Sequence, residues 1–418
     1  MIPKQAPLFS GQPRMEMQEA IRLSLESLNV YADLHDEWAV AWSGGKDSTA
    51  TLTFLLWALD SDRIRNPPKR LVVLYADTRM EILPLAHVAQ TMIAEMRKLK
   101  IDVRQVMAPL DKRFLVYMLG RGVPPPNNGT LRWCTRQIKV DPMKAEIARL
   151  GSESGKPWLV ITGVRIGESA VRNARLVTAC SRDGAECGQG HYQSALEGKN
   201  ATLAPLVHWR VCLVWEWLRR WAPLHDYGGW NTSPLADAYG GDEAEEINAR
   251  TGCTGCPLAT RDTALETVVA MPQWSYLAPL LELKPLWREL REPRHRLRQP
   301  GGERRQDGTL CDNQHRMGPL TMAARRMALE RVLDIQRRVN EAADTLDRPR
   351  LDMLNPMEHA RILDLIDADT WPRGWTGREP LATAPFDESE GEADPRQARL
   401  FEDREDETDG DTLGLEEV

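Results

Sequence analysis

Between residues 36 and 225, short apolar runs alternate with helical stretches, and this restricts the fold of the 418-residue chain more than any other feature. Trp38–Trp42 and Arg70–Ala76 read as apolar runs of buried strands, and Ile101–Met107 and Trp158–Gly163 are strand-like segments that follow. Ala50–Leu59 and Ile82–Lys98 read as helices between them. Residues 15–34 place apolar side chains at three- and four-residue steps, as an amphipathic helix does. Strands alternating with helices imply βαβ units, hence an α/β fold with a doubly wound parallel sheet flanked by helices. Pro124–Gly129 (PPPNNG) must be a loop. Past about residue 225 the alternation fades into a mostly helical region, with a long helix expected over about 320–346 and the folded body ending at Trp371–Trp375.

Composition limits what such a chain can do. No window approaches the ~20 apolar residues of a membrane helix. The first thirty residues lack the basic-then-apolar pattern of a secretory signal. A cytoplasmic chain with no membrane partner is expected. The net charge of −7 is uneven: Glu379–Val418 carries 15 acidic and 3 basic residues, leaving +5 on residues 1–378. That acidic tail reads as disordered, and a mildly basic body leaves a nucleic-acid partner open. The seven cysteines (134, 180, 187, 212, 253, 256 and 311) are too thinly spread for a secreted disulfide scaffold and point to metal or redox chemistry.

Ser43-Gly44-Gly45-Lys46-Asp47-Ser48 joins the first apolar run to the helix after it. Glycines there let backbone N–H groups approach an anion, and the helix N-terminus adds its positive dipole end. Ser43, Ser48 and Thr49 offer hydroxyls and Lys46 a point charge. The spacing is that of neither a Walker loop nor a G-x-G-x-x-G turn. The string resembles the signature of the PP-loop ATP pyrophosphatases, the adenine nucleotide α-hydrolase group. Two further segments resemble the phosphoadenylylsulfate (PAPS) reductase-like branch of that group. Asp77-Thr78 with Glu81 is similar to its D-T-x-x-E, and Gly163-Val164-Arg165 with Glu168, Ser169 and Arg172 to its G-x-R-x-x-E-S-x-x-R. The resemblance covers roughly residues 36–260. It implies a Rossmann-like sheet that cleaves ATP between the α and β phosphates with Mg²⁺. Ser43, Gly44, Gly45, Lys46, Asp47 and Ser48 would meet pyrophosphate, Asp77 adenosine or Mg²⁺, and Arg165, Glu168 and Arg172 the triphosphate or acceptor. Lys46, Asp47 and Arg165 would form the catalytic set.

Cys134, in Arg132-Trp133-Cys134-Thr135, and the Cys253-Thr254-Gly255-Cys256 turn are the informative cysteines. A CxxC turn can aim two thiolates at one metal. Spacing leaves three readings open: an iron–sulfur cluster on Cys134, Cys253, Cys256 and one more cysteine, or left open at the fourth iron; zinc on the CxxC with Cys311 and His315; or a redox dithiol. R-W-C-T followed by G-C-x-x-C resembles the DndC/SspD-type sulfurtransferases of bacterial DNA phosphorothioation. That resemblance implies a 4Fe-4S cluster with Cys180 or Cys187 as fourth ligand, DNA as partner, a cysteine desulfurase as sulfur donor, and the other proteins of the phosphorothioation system. Glu186-Cys187-Gly188 with His191 also resembles the catalytic tail of thioredoxin-dependent PAPS reductases, with an extra residue and in mid-chain. Cys212, inside an apolar run, reads as a core residue.

Between Lys284 and Arg305 there are eight Lys/Arg against three Glu. This stretch reads as a loop, either tracking a phosphate backbone or simply solvated. The resulting division is an N-terminal helix (1–35), a nucleotide-binding domain (36–225), a CxxC-containing helical region (226–375) and an acidic tail (376–418). The expected function is adenylylation of a DNA backbone phosphate for sulfur incorporation, with a sulfonucleotide reductase or a tRNA-thiolating enzyme as alternatives.

Overall fold

The computed structural model describes residues 15–31, 35–128, 131–165, 191–193, 200–240, 253–302, 309–311, 313 and 315–384, of which 191–193 by backbone alone. Within these a sheet of six strands runs β1 (Glu37–Trp42), β2 (Arg70–Asp77), β3 (Asp102–Met107), β4 (Leu159–Ile161), β5 (His191–Gln193) and β6 (Ala201–Ala204). Their spatial order is β3-β2-β1-β4-β6-β5. Every pairing is parallel except that of β5 with β6 at the edge. The Rossmann-like expectation holds, with that antiparallel edge strand as an addition.

Strand order reverses at β1, whose neighbours are β2 and β4. Loops leaving the carboxyl ends of strands on either side of such a switch point diverge and leave a crevice. The sheet reaches this arrangement because both its faces are apolar. Trp38, Val40 and Trp42 of β1 point into the layer formed by α1 (Met17–Tyr31), α2 (Lys46–Asp60) and α3 (Leu83–Lys98). Ala39 and Ala41, with Val72 and Leu74 of β2, meet Met143, Ile147 and Leu150 of α4 (Asp141–Ser154) on the other face. α2 is the central helix, buried nearly throughout from Lys46 to Ala58. It begins at Lys46, so the second half of the glycine-rich string is its first turn.

The polypeptide then covers the α1–α2 layer with α5 (Val211–Glu216) and the π-helical turn Trp217–Trp221. Trp209, Trp215 and Trp217 are fully buried, and Cys212 packs partly buried against the same core. A 3-10 segment, Ser233–Tyr239, crosses from this layer towards the C-terminal helices. Those are α6 (Thr263–Ala270), the 3-10 run Pro272–Glu282, α7 (Leu283–Glu289), α8 (Met322–Thr345) and α9 (Pro356–Asp367). They build a second core with Met80, Ile82, Phe114 and Cys134.

The described part of the basic stretch is not all loop. Its first residues form α7, and several of its described cations are held by the chain's own backbone. Arg296 is buried and donates to the carbonyls of Gly318 (2.6 Å) and Met317 (2.7 Å). Arg288 donates to Thr260 O, Arg291 to Pro126 O and Pro257 O, and Arg298 to Ala384 O. Arg294 faces Glu292 at 3.0 Å. Folded contacts also run past the expected boundary at 376. Leu381 bridges Leu297, and Ala382 N–H donates to Arg296 O at 2.9 Å. Residues 385–418, most of the expected acidic tail, lie outside the described residues.

Candidate functional site

The three expected motif segments leave the carboxyl ends of three adjacent strands. The string Ser43–Ser48 follows β1, Asp77 closes β2, and Gly163–Arg165 follows β4. Gly44 takes a left-handed φ of 74° and Gly45 is the N-cap of α2, contributing no capping side chain. The seryl ends of the string are tied together instead. Ser43 N–H donates to Ser48 Oγ (3.2 Å), Ser48 Oγ donates to Gly45 O (3.1 Å), and the two hydroxyls lie 3.1 Å apart. Trp42 Nε1 donates to Thr49 Oγ1 at 2.9 Å, pinning the strand to the helix it feeds.

Charge is concentrated here. Asp47 receives Arg165 Nε at 2.6 Å on one carboxylate oxygen and Lys46 Nζ at 3.1 Å on the other. Lys46 and Arg165 are both buried, and Arg165 is also held by Trp209 O at 3.1 Å. Two cations sharing one carboxylate leave a net positive charge beside the first turn of α2, where the helix dipole has the same sign. Gly163 makes this possible. A Cβ on it would lie 2.7 Å from Ser48 Cα and N, so only glycine lets the β4 loop approach the helix start. A backbone cradle of this kind, with net positive charge, fits the phosphates of a nucleotide.

Asp77 Oδ1 accepts Arg79 N–H at 2.9 Å. Burial raises the Asp77 carboxyl above the ordinary carboxylate range, against the pull of Arg79 and Arg113. Arg79 holds a left-handed φ of 65° and reaches the C-terminal region, at 2.8 Å from Asp352 and 3.5 Å from the buried Glu358. Glu358 also binds Arg113 at 3.1 Å and closes the capping box of α9. This link, like the phenol of Tyr239 at the helix start, has no signal in the sequence around it. Glu81 Oε1 accepts both the hydroxyl (2.6 Å) and the N–H (3.1 Å) of Thr78, and burial with Asp77 nearby raises its carboxyl.

The CxxC turn docks on this same loop. Cys253 forms an antiparallel bridge with Glu81, and Thr254 donates its N–H to Met80 O (2.6 Å) and its hydroxyl to Glu81 O (3.1 Å). Gly255, at φ 62°, seats the turn against Leu283, whose Cβ would be 2.7 Å from an added Cβ. Cys134 joins the same region, packing in the core with Phe114 and Ile138. Burial pushes up the thiols of Cys134 and Cys253, and each is pushed further by Cys256. The three thiols thus sit within electrostatic reach of one another, with Lys139 opposing the effect at Cys253.

Among the described residues, no three His, Cys, Asp or Glu side chains are grouped to hold a metal ion. Neither the zinc set of the CxxC with Cys311 and His315 nor the three thiols Cys134, Cys253 and Cys256 form such a group among the described residues. Glu168, Arg172, Cys180, Cys187 and the Glu186–His191 segment lie outside the described side chains. No described helix is long and apolar enough to cross a membrane.

A parallel sheet with a glycine-bearing, cation-lined loop at its switch point defines an α/β protein of the nucleotide-binding class. The chain belongs to the phosphoadenosine phosphosulfate reductase domain family, whose sequence profile matches residues 37–258. Its phosphate loop is of the PP type. Similar solved structures include Candida glabrata FMN adenylyltransferase in complex with FMN and the ATP analog AMPCPP. That match has 12% identity over 50% of this chain and 60% of the other, with a TM-score of 0.30. Another is PAPS reductase from Candida auris in a phosphate complex (10%, 50% and 88%, 0.29). A third is the U34-tRNA thiolase NcsA from Methanococcus maripaludis with its 4Fe-4S cluster (14%, 66% and 82%, 0.32). The match spans less than two thirds of the FMN adenylyltransferase's own length. A search of curated proteins finds no match.

Proposed function

We propose that this protein is an ATP pyrophosphatase and sulfurtransferase that adenylylates a DNA backbone phosphate for replacement of a non-bridging oxygen by sulfur. The observation that carries the reading is the docking of the CxxC turn on the β2 loop, four residues from Asp77. A nucleotide held by the phosphate loop would then have sulfur-bearing side chains for a neighbour, as activation followed by sulfur transfer requires.

A phosphodiester oxygen is too poor a leaving group to be displaced directly, so activation comes first. A non-bridging oxygen of the DNA phosphate attacks the α-phosphorus of ATP, and the bond to the β-phosphate breaks. The N–H groups at the start of α2, the Ser43 and Ser48 hydroxyls and Lys46 stabilise the charge on departing pyrophosphate. Asp47 fixes Lys46 and Arg165 for that task, and Asp77 would hold Mg²⁺, which supplies charge neutralisation. Hydrosulfide, released from a cysteine desulfurase's persulfide by a two-electron thiol reductant, then attacks the DNA phosphorus, forming the P–S bond as the P–O bond to AMP breaks. Cys134, Cys253 and Cys256, with Cys180 or Cys187, would hold a 4Fe-4S cluster, whose soft sulfide chemistry suits sulfur handling. The thiols of Cys134 and Cys253, raised by burial, fit a site that releases protons when it is loaded.

Nuclease-digested DNA from the host, with and without this gene, tests the acceptor by mass spectrometry. Phosphorothioate dinucleotides that vanish with the gene and with Cys134→Ala are expected. If none occurs, DNA is not the acceptor; thionucleosides in tRNA or sulfite formation would then identify a tRNA-thiolating or a sulfonucleotide-reducing enzyme. Purified protein should release pyrophosphate from ATP, and Lys46→Ala should abolish it.

A further inference from the structure

We propose that Tyr239 is a positioning residue of the phosphate loop, standing in for an anion when the loop is empty and withdrawing when pyrophosphate or a nucleotide enters. This rests on the nucleotide reading above and adds a residue to it. α2 starts from a glycine and has no side-chain cap of its own. Its first N–H, that of Lys46, donates instead to the phenol oxygen of Tyr239 at 3.1 Å, across 193 residues of sequence. The Lys46 ammonium lies over the Tyr239 ring, 5.1 Å from its centre. The phenol oxygen would sit 3.4 Å from a Cβ on Gly45, so it touches the glycine cradle itself. An oxygen acceptor for the leading N–H and a π-face for the ammonium are the two interactions that a phosphate would replace.

Tyr239 is buried, edge-on to Trp215 at 5.1 Å. It closes the Ser233–Tyr239 segment, whose Asp237 accepts from Gln273 at 3.4 Å. Gly240, at φ 116°, follows it and gives the backbone a pivot without a Cβ penalty. Withdrawal of the phenol therefore shifts a segment that packs on the C-terminal helices.

A thermodynamic cycle follows. In Tyr239→Phe the Lys46 N–H has no acceptor in the empty protein but regains one from the bound anion. The empty state alone is penalised, so the variant should bind inorganic pyrophosphate about tenfold more tightly, by ~1.4 kcal/mol. It should also unfold at a lower temperature without pyrophosphate and recover at saturation. Isothermal titration of the full chain measures the first effect. In wild-type protein labelled with 3-fluorotyrosine, one of seven tyrosine resonances, the one missing in Tyr239→Phe, should shift on pyrophosphate addition. Equal affinity in both proteins, weaker binding by the variant, or an unmoved resonance overturns the proposal while leaving the nucleotide site standing. Absence of pyrophosphate binding by either protein overturns both.

Discussion

Gly163→Ala puts the geometry of the site to its most direct test. The added methyl would sit 2.7 Å from Ser48 Cα and N and 2.8 Å from the Asp47 carbonyl carbon. Non-bonded carbons rest about 3.5–4.0 Å apart, so loop and helix must separate by roughly 1 Å. The obstructing atoms are backbone of the first turn of α2 and cannot rotate away. Overpacking of this kind costs about 1–3 kcal/mol. The functional loss should be larger, because displacement of the β4 loop pulls Arg165 from Asp47, now at 2.6 Å. A 1 Å misplacement in a catalytic array costs about 10²-fold. Pyrophosphate release from ATP should fall about a hundredfold, while urea unfolding shows only the modest stability loss. Gly155→Ala is the control: its φ of 66° is strained, but nothing lies within 4 Å of the added carbon, so it should lower stability and spare activity. Wild-type pyrophosphate release by Gly163→Ala would refute the close approach of the two loops.

Asp47→Asn should abolish pyrophosphate release and destabilise the fold by about 3 kcal/mol, since it leaves the buried Arg165 without its carboxylate; chemical unfolding with a pyrophosphate assay reads both. Asp77→Asn should separate stability from function. The raised carboxyl means the folded state binds its proton more tightly than the unfolded chain, so stability falls as pH rises from the ordinary carboxylate range through the folded value. The amide removes that pH dependence and stabilises the protein at neutral pH while impairing ATP cleavage; denaturation at pH 4 and pH 8 checks it, and an unchanged slope refutes it. Ending the chain after Ala384 should leave ATP cleavage and stability intact. Ending it after Thr376 should lower thermal stability, because Leu381, Ala382 and the Arg298 contact to Ala384 are removed.

What the sequence disclosed was governed by the range of the interaction concerned. Buried parallel strands need continuous apolarity, so Trp38–Trp42 and Arg70–Ala76 declared themselves and were met by β1 and β2 within a residue. A phosphate loop is a local backbone device, and its glycines and hydroxyls lie within six residues. For the basic stretch, composition counted charges without showing what each one faces. Arg296 is buried among carbonyls and pushed down to about 10 by desolvation. Tyr239 and Glu358 were illegible for a related reason: each acts on a residue 193 or more positions away, or on two at once, and no local pattern marks them.

The Arg79 link shows why the C-terminal helices belong to the site rather than merely beside it. A left-handed φ on a residue with a Cβ costs about 1–2 kcal/mol, and the loop's own hydrogen bond from Arg79 N–H to Asp77 offsets part of it. A further offset comes from Asp352 and Glu358, which grip the guanidinium from the far region, while the backbone so held presents its N–H to Asp77. Glu358 is in turn committed to Arg113 and to the cap of α9. The carboxylate that would meet the nucleotide's metal is thus oriented from the C-terminal region, while the CxxC turn docks on the same β2 loop through Met80 and Glu81. Removing the Arg79 guanidinium, as in Arg79→Ala, should therefore disturb the β2 loop on which both Asp77 and the CxxC turn depend.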